Sequence, residues 1–231
     1  MLFTTTTTTL LPLFLYLFVF VCLSSSSSAS TQRVADKNNM IRCIERERLA
    51  LLDFKHGLVN DYGVLFSWGS DDECCNWWGV NCNNNTDHVT MLDLNTFKID
   101  SYLSGHKVSP SLLELKHLNY LDLSYNYFQG SPIPEFIGSF KRLRILSLMD
   151  AGFSGTIPPQ LGNLTNLQVL NISGDDSNFN LKIKNLEWLS LLSSLRSFYL
   201  TGVDIDLIES SKTSVTLTPF LEELQLPLRS P

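Results

Sequence analysis

One phrase recurs along this chain and limits what it can fold into. Leu118-Asn-Tyr-Leu-Asp-Leu-Ser-Tyr-Asn126 has the form LxxLxLxxN. Its apolar frame returns as Leu143-Arg-Ile-Leu-Ser-Leu148, Leu167-Gln-Val-Leu-Asn-Ile172, Leu195-Arg-Ser-Phe-Tyr-Leu200 and Leu221-Glu-Glu-Leu-Gln-Leu226, with an opening copy at Val89-Thr-Met-Leu-Asp-Leu94. The starts lie 24 to 29 residues apart. Alternate residues of a strand point to opposite faces, so the leucines of each phrase face one way and the residues between them the other. One such unit cannot cover its own leucines. Stacked units share a continuous apolar core, with their short strands side by side and parallel. An antiparallel β-protein would not return the same phrase at one period.

That period and phrase are those of leucine-rich repeats. They predict an α/β solenoid over 89–231, with about six strand phrases lining a concave face and irregular or 3-10 segments on the convex side. The connecting segments agree. Gly155-Thr-Ile-Pro158 and Gly130-Ser-Pro-Ile-Pro134 each follow a strand. Proline cannot donate a ladder hydrogen bond and glycine allows bends, so both suit a convex turn. Leu161-Gly-Asn-Leu164 and Phe136-Ile-Gly-Ser-Phe140 then place apolar side chains where they can turn inward.

Upstream of the repeats, residues 1–30 carry no charged side chain and contain an apolar run from Leu10 to Leu23, closed by Ser24–Ser28, Ala29 and Ser30. An apolar run of about 14 residues is too short for a membrane span, which needs about 20, and reads as a secretory signal. Cleavage is expected between Ser24 and Thr31, followed by a flexible segment, 31–42, and a cap, 43–88. No later stretch is long and apolar enough to span a membrane. The secretory route is oxidising, so cysteines are read first as bridges. With Cys22 in the signal, Cys43, Cys74, Cys75 and Cys82 remain. Adjacent Cys74 and Cys75 are poorly placed to bridge each other. Two pairings stay open: Cys43–Cys74 with Cys75–Cys82, or Cys43–Cys75 with Cys74–Cys82. The spacing is not that of a zinc site. Ala50, Leu51, Phe54 and Leu58 recur at helical spacing and predict an amphipathic helix over 44–59. With Trp68, Trp77 and Trp78 it would cover the leucines of the first repeat.

Together these residues resemble a known family. The GxIPxxLGxLxxL signature is that of plant leucine-rich repeats. Cys43-Ile-Glu-Arg-Glu-Arg-Leu-Ala-Leu-Leu-Asp-Phe-Lys55, Ser67-Trp68 and Cys74-Cys-Asn-Trp-Trp-Gly-Val-Asn-Cys82 resemble the N-terminal cap of plant receptor-like proteins and receptor kinases. Ser109-Pro-Ser-Leu-Leu-Glu-Leu-Lys-His-Leu118 and Asn185-Leu-Glu-Trp-Leu-Ser190 are similar to the subgroup that includes the fungal ethylene-inducing-xylanase receptors. The resemblance implies the pairing Cys43–Cys74 with Cys75–Cys82. It also implies recognition of a protein or peptide ligand in plant immune or developmental signalling, with co-receptor kinases as partners. The runner-up is a secreted inhibitor of a pathogen wall-degrading enzyme, since polygalacturonase inhibitors share the cap and repeat type. A truncated, non-signalling decoy is a third reading.

No chemistry competes with recognition. The four histidines, His56, His88, His106 and His117, form no metal or nucleophile motif, and His117 reads as a convex surface residue. Asp93 and Asp122 occupy equivalent strand positions, but a strand ladder offers no closed site for a glycosidase pair. The formal charge of −6, from 17 Lys+Arg against 23 Asp+Glu, argues against nucleic acid. No cofactor or metal is expected. Ligand contact is assigned to outward strand positions: Tyr120, Asp122 and Tyr125, then Ser147, Met149 and Asp150, then Tyr199. Ser124, Ile145, Val169, Asn171, Ser173, Ser197 and Thr201 share that face. Asn84, Asn163 and Asn171 head glycosylation sequons. The expected location is extracellular, or the plasma membrane where a full-length product carries an anchor. The chain stops just after the last strand phrase, so Leu224 and Leu226 are expected to be uncapped.

Overall fold

The computed structural model describes residues 43–99, 101–174, 181–205 and 222–225. The signal, the flexible segment and Leu226 lie outside the described residues. The strands, in chain order, are β1 (Leu58–Val59), β2 (Val80–Cys82), β3 (Val89–Asp93), β4 (Ser104–Gly105), β5 (Tyr120–Asp122), β6 (Ile145–Leu148), β7 (Gly155–Thr156), β8 (Val169–Ser173), β9 (Leu181–Ile183), β10 (Ser197–Thr201), β11 (Val203–Ile205) and β12 (Glu223–Gln225). Among the described residues one α-helix, α1 (Glu45–His56), stands before them.

The main sheet runs β2-β3-β5-β6-β8-β10-β12. Its repeat strands are parallel, and β2 of the cap joins antiparallel to β3. The register is the one the phrase demands: Leu92 pairs with Leu121, Leu121 with Leu146, Leu146 with Leu170 and Leu170 with Phe198. Each of these side chains is wholly buried. A buried Leu is worth about 1.5–3 kcal/mol relative to an exposed one, and the ladder repeats that gain at every rung. The Asn that closes the full phrase has a separate task. Asn126 donates from Nδ2 to the carbonyls of Leu94, Leu123 and Ser124 (2.8, 3.0 and 3.1 Å), and its Oδ1 accepts from the Leu103 N–H (2.9 Å). It satisfies backbone groups where the chain leaves the strand and cannot use the ladder.

On the convex side, 3-10 turns stack at Pro110–Glu114, Glu135–Ser139, Pro159–Asn163 and Glu187–Leu191. They approach so closely that Gly138 has no room for a Cβ against the Gln160 carbonyl. At Gly162 a Cβ would stand 2.9 Å from the Trp188 carbonyl. Beside the main sheet, β7, β9 and β11 form a second parallel ladder, and Phe128 stacks on Phe153 of the next repeat at 4.7 Å.

The cap closes the first repeat. α1 buries Glu47, Ala50, Leu51 and Phe54, and Trp68 stacks on Trp77 at 5.6 Å. The helix ends three residues before the expected limit of 59, at His56. Gly57 donates its N–H to the Phe54 carbonyl (3.1 Å), and Leu58 and Val59 pair antiparallel with Gly105 and Ser104. Leu58 is therefore a strand residue: it meets a strand edge that periodicity within the helix cannot reveal. The bridges are Cys43–Cys74 and Cys75–Cys82, with Cα separations of 5.3 and 5.5 Å. The sulfurs of Cys43, Cys74 and Cys75 lie close together, but each is spent in a bridge. Among the described residues no helix is long and apolar enough to cross a membrane.

Candidate ligand groove on the concave face

The residues between the inward leucines build a groove of about 780 Å³ across β2, β3, β5, β6 and β8. Its floor follows from strand register. Met91 stands beside Tyr120 and Asp93 beside Asp122, and Asp122 is level with Ser147, which is level with Asn171. Trp78, Asn95, Phe97, Lys98, Tyr125 and Met149 are among the residues of its wall. Five of the residues assigned from sequence thus converge: Tyr120, Asp122, Tyr125, Ser147 and Met149. Asp150 lines an adjoining hollow of about 330 Å³ with Tyr102, Tyr125, Asn126 and Tyr127. Tyr199 stands apart on β10, its hydroxyl donating to Glu223 of β12, and that bond raises its pKa.

Four outward positions are more enclosed than strand alternation implies. Asp122 is 6% exposed, Ser147 5%, Ser173 5% and Ser124 1%. Their polar atoms are committed to the scaffold. Asp122 accepts from the Ser124 N–H (2.8 Å) and from Asn95 Nδ2 (3.2 Å). Ser124 and Ser147 share a hydroxyl bond of 2.8 Å. Ser173 Oγ accepts from the Asp150 N–H (2.7 Å) and donates to the Asp150 carboxylate (2.6 Å). They shape the floor, while Tyr120, Tyr125, Met91, Met149 and Asp93 offer the surface. Tyr125 and Asp150 occupy the same turn position in successive repeats, both with positive φ (59° and 45°). Asp tolerates that region; a tyrosine there is uncommon, and Tyr125 brings its ring within 4.7 Å of Phe97.

Electrostatics give the groove its character. Burial first, then the neighbouring Asp122, push the Asp93 carboxyl above its ordinary range. Burial and the two carboxylates push the Tyr120 phenol up to about 12. Both shifts mark a place that resists more negative charge. Asn171 Oδ1 is buried there without a hydrogen-bond partner. A buried acceptor left unpaired costs about 1–3 kcal/mol, so a ligand donor would relieve it.

Two contributors to the groove, and one buried acid outside it, were not found from sequence. Trp78, read as cap core, is only half-buried and lines the groove. Phe97 is 69% exposed and follows a strand rather than lying in it. Glu47 is completely buried, holding His88 Nδ1 and the Val89 N–H at 2.7 Å each. His117 is not on the convex side. It stacks on His88 at 3.6 Å, at the edge where the strands begin, and burial first, then the neighbouring His88 and Arg142, lower its pKa.

Residues 44–83 match the leucine rich repeat N-terminal domain and residues 117–140 the leucine rich repeat. The chain belongs to the leucine-rich-repeat family. Among curated leucine-rich-repeat relatives, receptor-like protein EIX1 of Solanum lycopersicum is 44% identical over 81% of this chain. Receptor-like protein EIX2 of the same plant is 52% identical over 53%. The chain spans only 19% and 12% of their lengths. Among solved structures, the leucine-rich-repeat ectodomain of the membrane receptor kinase GASSHO1/SCHENGEN3 from Arabidopsis thaliana, in complex with Casparian strip integrity factor 2, is 25% identical. It superposes with a TM-score of 0.62 over 78% of this chain and 20% of its own.

Proposed function

We propose that this chain is the ligand-recognising N-terminal part of an extracellular receptor-like protein, working by binding rather than catalysis. Its ligand is a protein or peptide segment with a cationic side chain flanked by apolar ones. One observation carries the proposal: Asp93 and Asp122 stand in register on adjacent strands within a groove walled by Tyr120, Tyr125, Phe97 and two methionines. Carboxylates favour an ammonium or guanidinium, aromatic faces add cation–π attraction, and methionine adapts its shape to what lies on it. The relatives are receptor-like proteins, and a similar ectodomain is solved with a bound factor. The two cap bridges fit an oxidising, secretory route. Co-receptor kinases are the partners the resemblance implies.

The test is selection of displayed random peptides on the immobilised chain. The enriched pool is expected to carry Lys or Arg beside aromatic or aliphatic residues. Asp93→Asn is expected to weaken those peptides about tenfold, as loss of a charge-assisted contact does. A pool without cationic bias, or one indifferent to Asp93→Asn, contradicts the reading.

A further inference from the structure

A second hollow, of about 400 Å³, opens at the edge where the strands begin. That volume falls within the range of about 300–1,000 Å³ usual for small-ligand sites, but its chemistry differs from the groove's. Its lining comprises Asn83, Thr86, Thr90, His117, Asn119, Arg142, Arg144 and Asn166, without a single aliphatic side chain. The two arginines are exposed. Among the described residues neither has a carboxylate partner. On a chain of net charge −6, two guanidiniums lining one recess without a carboxylate between them call for an anion.

The recess is also braced from within. Glu47 of α1, fully buried, holds the His88 ring through Nδ1 at 2.7 Å. His88 stacks on His117 at 3.6 Å with the planes 5° apart. Arg142 Nη1 lies 3.0 Å from His117 Nδ1. A guanidinium can only donate, so this nitrogen of His117 is an acceptor and the ring is neutral. A chain of contacts thus runs from a buried carboxylate through two imidazoles to one guanidinium, fixing it before any ligand arrives. Preorganisation of this kind lowers the ordering cost of binding.

We propose that this hollow binds an acidic saccharide, a uronate unit whose carboxylate pairs with Arg142 and Arg144 and whose hydroxyls bond to Asn119, Asn166 and Thr90. Arginine's fork matches a carboxylate in two parallel hydrogen bonds. The amides and hydroxyls around it both donate and accept, as a ring of sugar hydroxyls requires. An acidic peptide is the weaker fit. Peptide and protein contacts are centred on buried aromatic or apolar anchors, and this lining offers none. The site is separate from the concave groove, so each stands or falls alone.

Isothermal titration at low ionic strength decides the matter, on the full chain after enzymatic deglycosylation, because exposed Asn84 heads a sequon in the same turn as Asn83 and Thr86. The probes are an oligouronate, its fully methyl-esterified neutral counterpart and a capped oligoglutamate peptide. The oligouronate is expected to bind. The ester, and the Arg142→Gln/Arg144→Gln variant with native ligand, are each expected to bind about tenfold or more weakly, the loss of charge-assisted bonds. Asp93→Asn, in the groove, is expected to leave oligouronate binding unchanged. A thermal melt matching the parent confirms that the double variant is folded. Equal binding of the ester, an arginine variant that binds as the parent does, or no oligouronate binding overturns the proposal. Preference for oligoglutamate over oligouronate overturns the saccharide assignment.

Discussion

Asp93 shows most plainly how a single residue of the groove is held there at the expense of stability. Its carboxyl is raised above the ordinary 3.8 by burial and by Asp122. The folded chain therefore holds that proton more tightly than the unfolded chain. Stability falls as pH rises through the raised value, and the penalty is complete above it. Asp93→Asn is expected to melt higher than the parent at neutral pH. The advantage should shrink as pH falls through the raised value and vanish below about 3.8. Melting curves across that range check it, and a variant that melts lower at neutral pH would mean that the Asp93 charge is already compensated. Glycan acceptors sort by exposure in the same way. Asn84 and Asn163 are exposed, whereas Asn171 is half-buried on β8 with its amide oxygen enclosed. Glycopeptide mass spectrometry is expected to find Asn163 occupied and Asn171 empty; the reverse would move recognition away from the groove.

At the scale of elements, the cap and the convex turns set how the repeats stack. The Cys75–Cys82 bridge ties the 3-10 turn at Cys74–Asn76 to β2, the strand that pairs with β3. Loss of a native bridge in a small secreted region typically costs about 2–5 kcal/mol, so Cys82→Ser and Cys43→Ser are each expected to reduce secretion sharply. Normal secretion with an unchanged melting temperature would show the cap to be self-sufficient. Gly138→Ala is expected to destabilise by about 1–3 kcal/mol, the usual cost of overpacking, because the Gln160 carbonyl occupies the space of the added Cβ; an unchanged melt would show that neighbouring turns slide apart freely. The strand phrases were legible because each leucine repeats its environment at every rung, and period alone reports that. Leu58 was misread because it faces a strand edge far along the chain, where its partner is Gly105. Trp78 and Phe97 were missed because each lies outside the repeating frame. Outward Asp122 and Ser147 were recognised as concave, but their enclosure depends on Asn95 and Ser124 folding over them, which alternation cannot show.

The molecule as a whole divides its charge and its surface. An acidic, aromatic groove lies on the concave strands, and a basic hollow lined by polar and charged residues lies at the edge where those strands begin. The convex side is given to close-packed turns. Recognition is therefore expected to occupy the sheet side and to leave the convex side untouched. Hydroxyl-radical footprinting reads this directly, using a peptide selected on the chain. Met91, Met149, Phe97 and Tyr125 line the groove, while Phe66 of the cap (85% exposed) and Leu191 of a convex turn (56% exposed) serve as distant reporters. The account predicts that bound peptide protects Met91 and Met149 from oxidation and leaves Phe66 and Leu191 as reactive as in the free chain. Protection of Leu191 or Phe66 with unchanged oxidation of both methionines would contradict it.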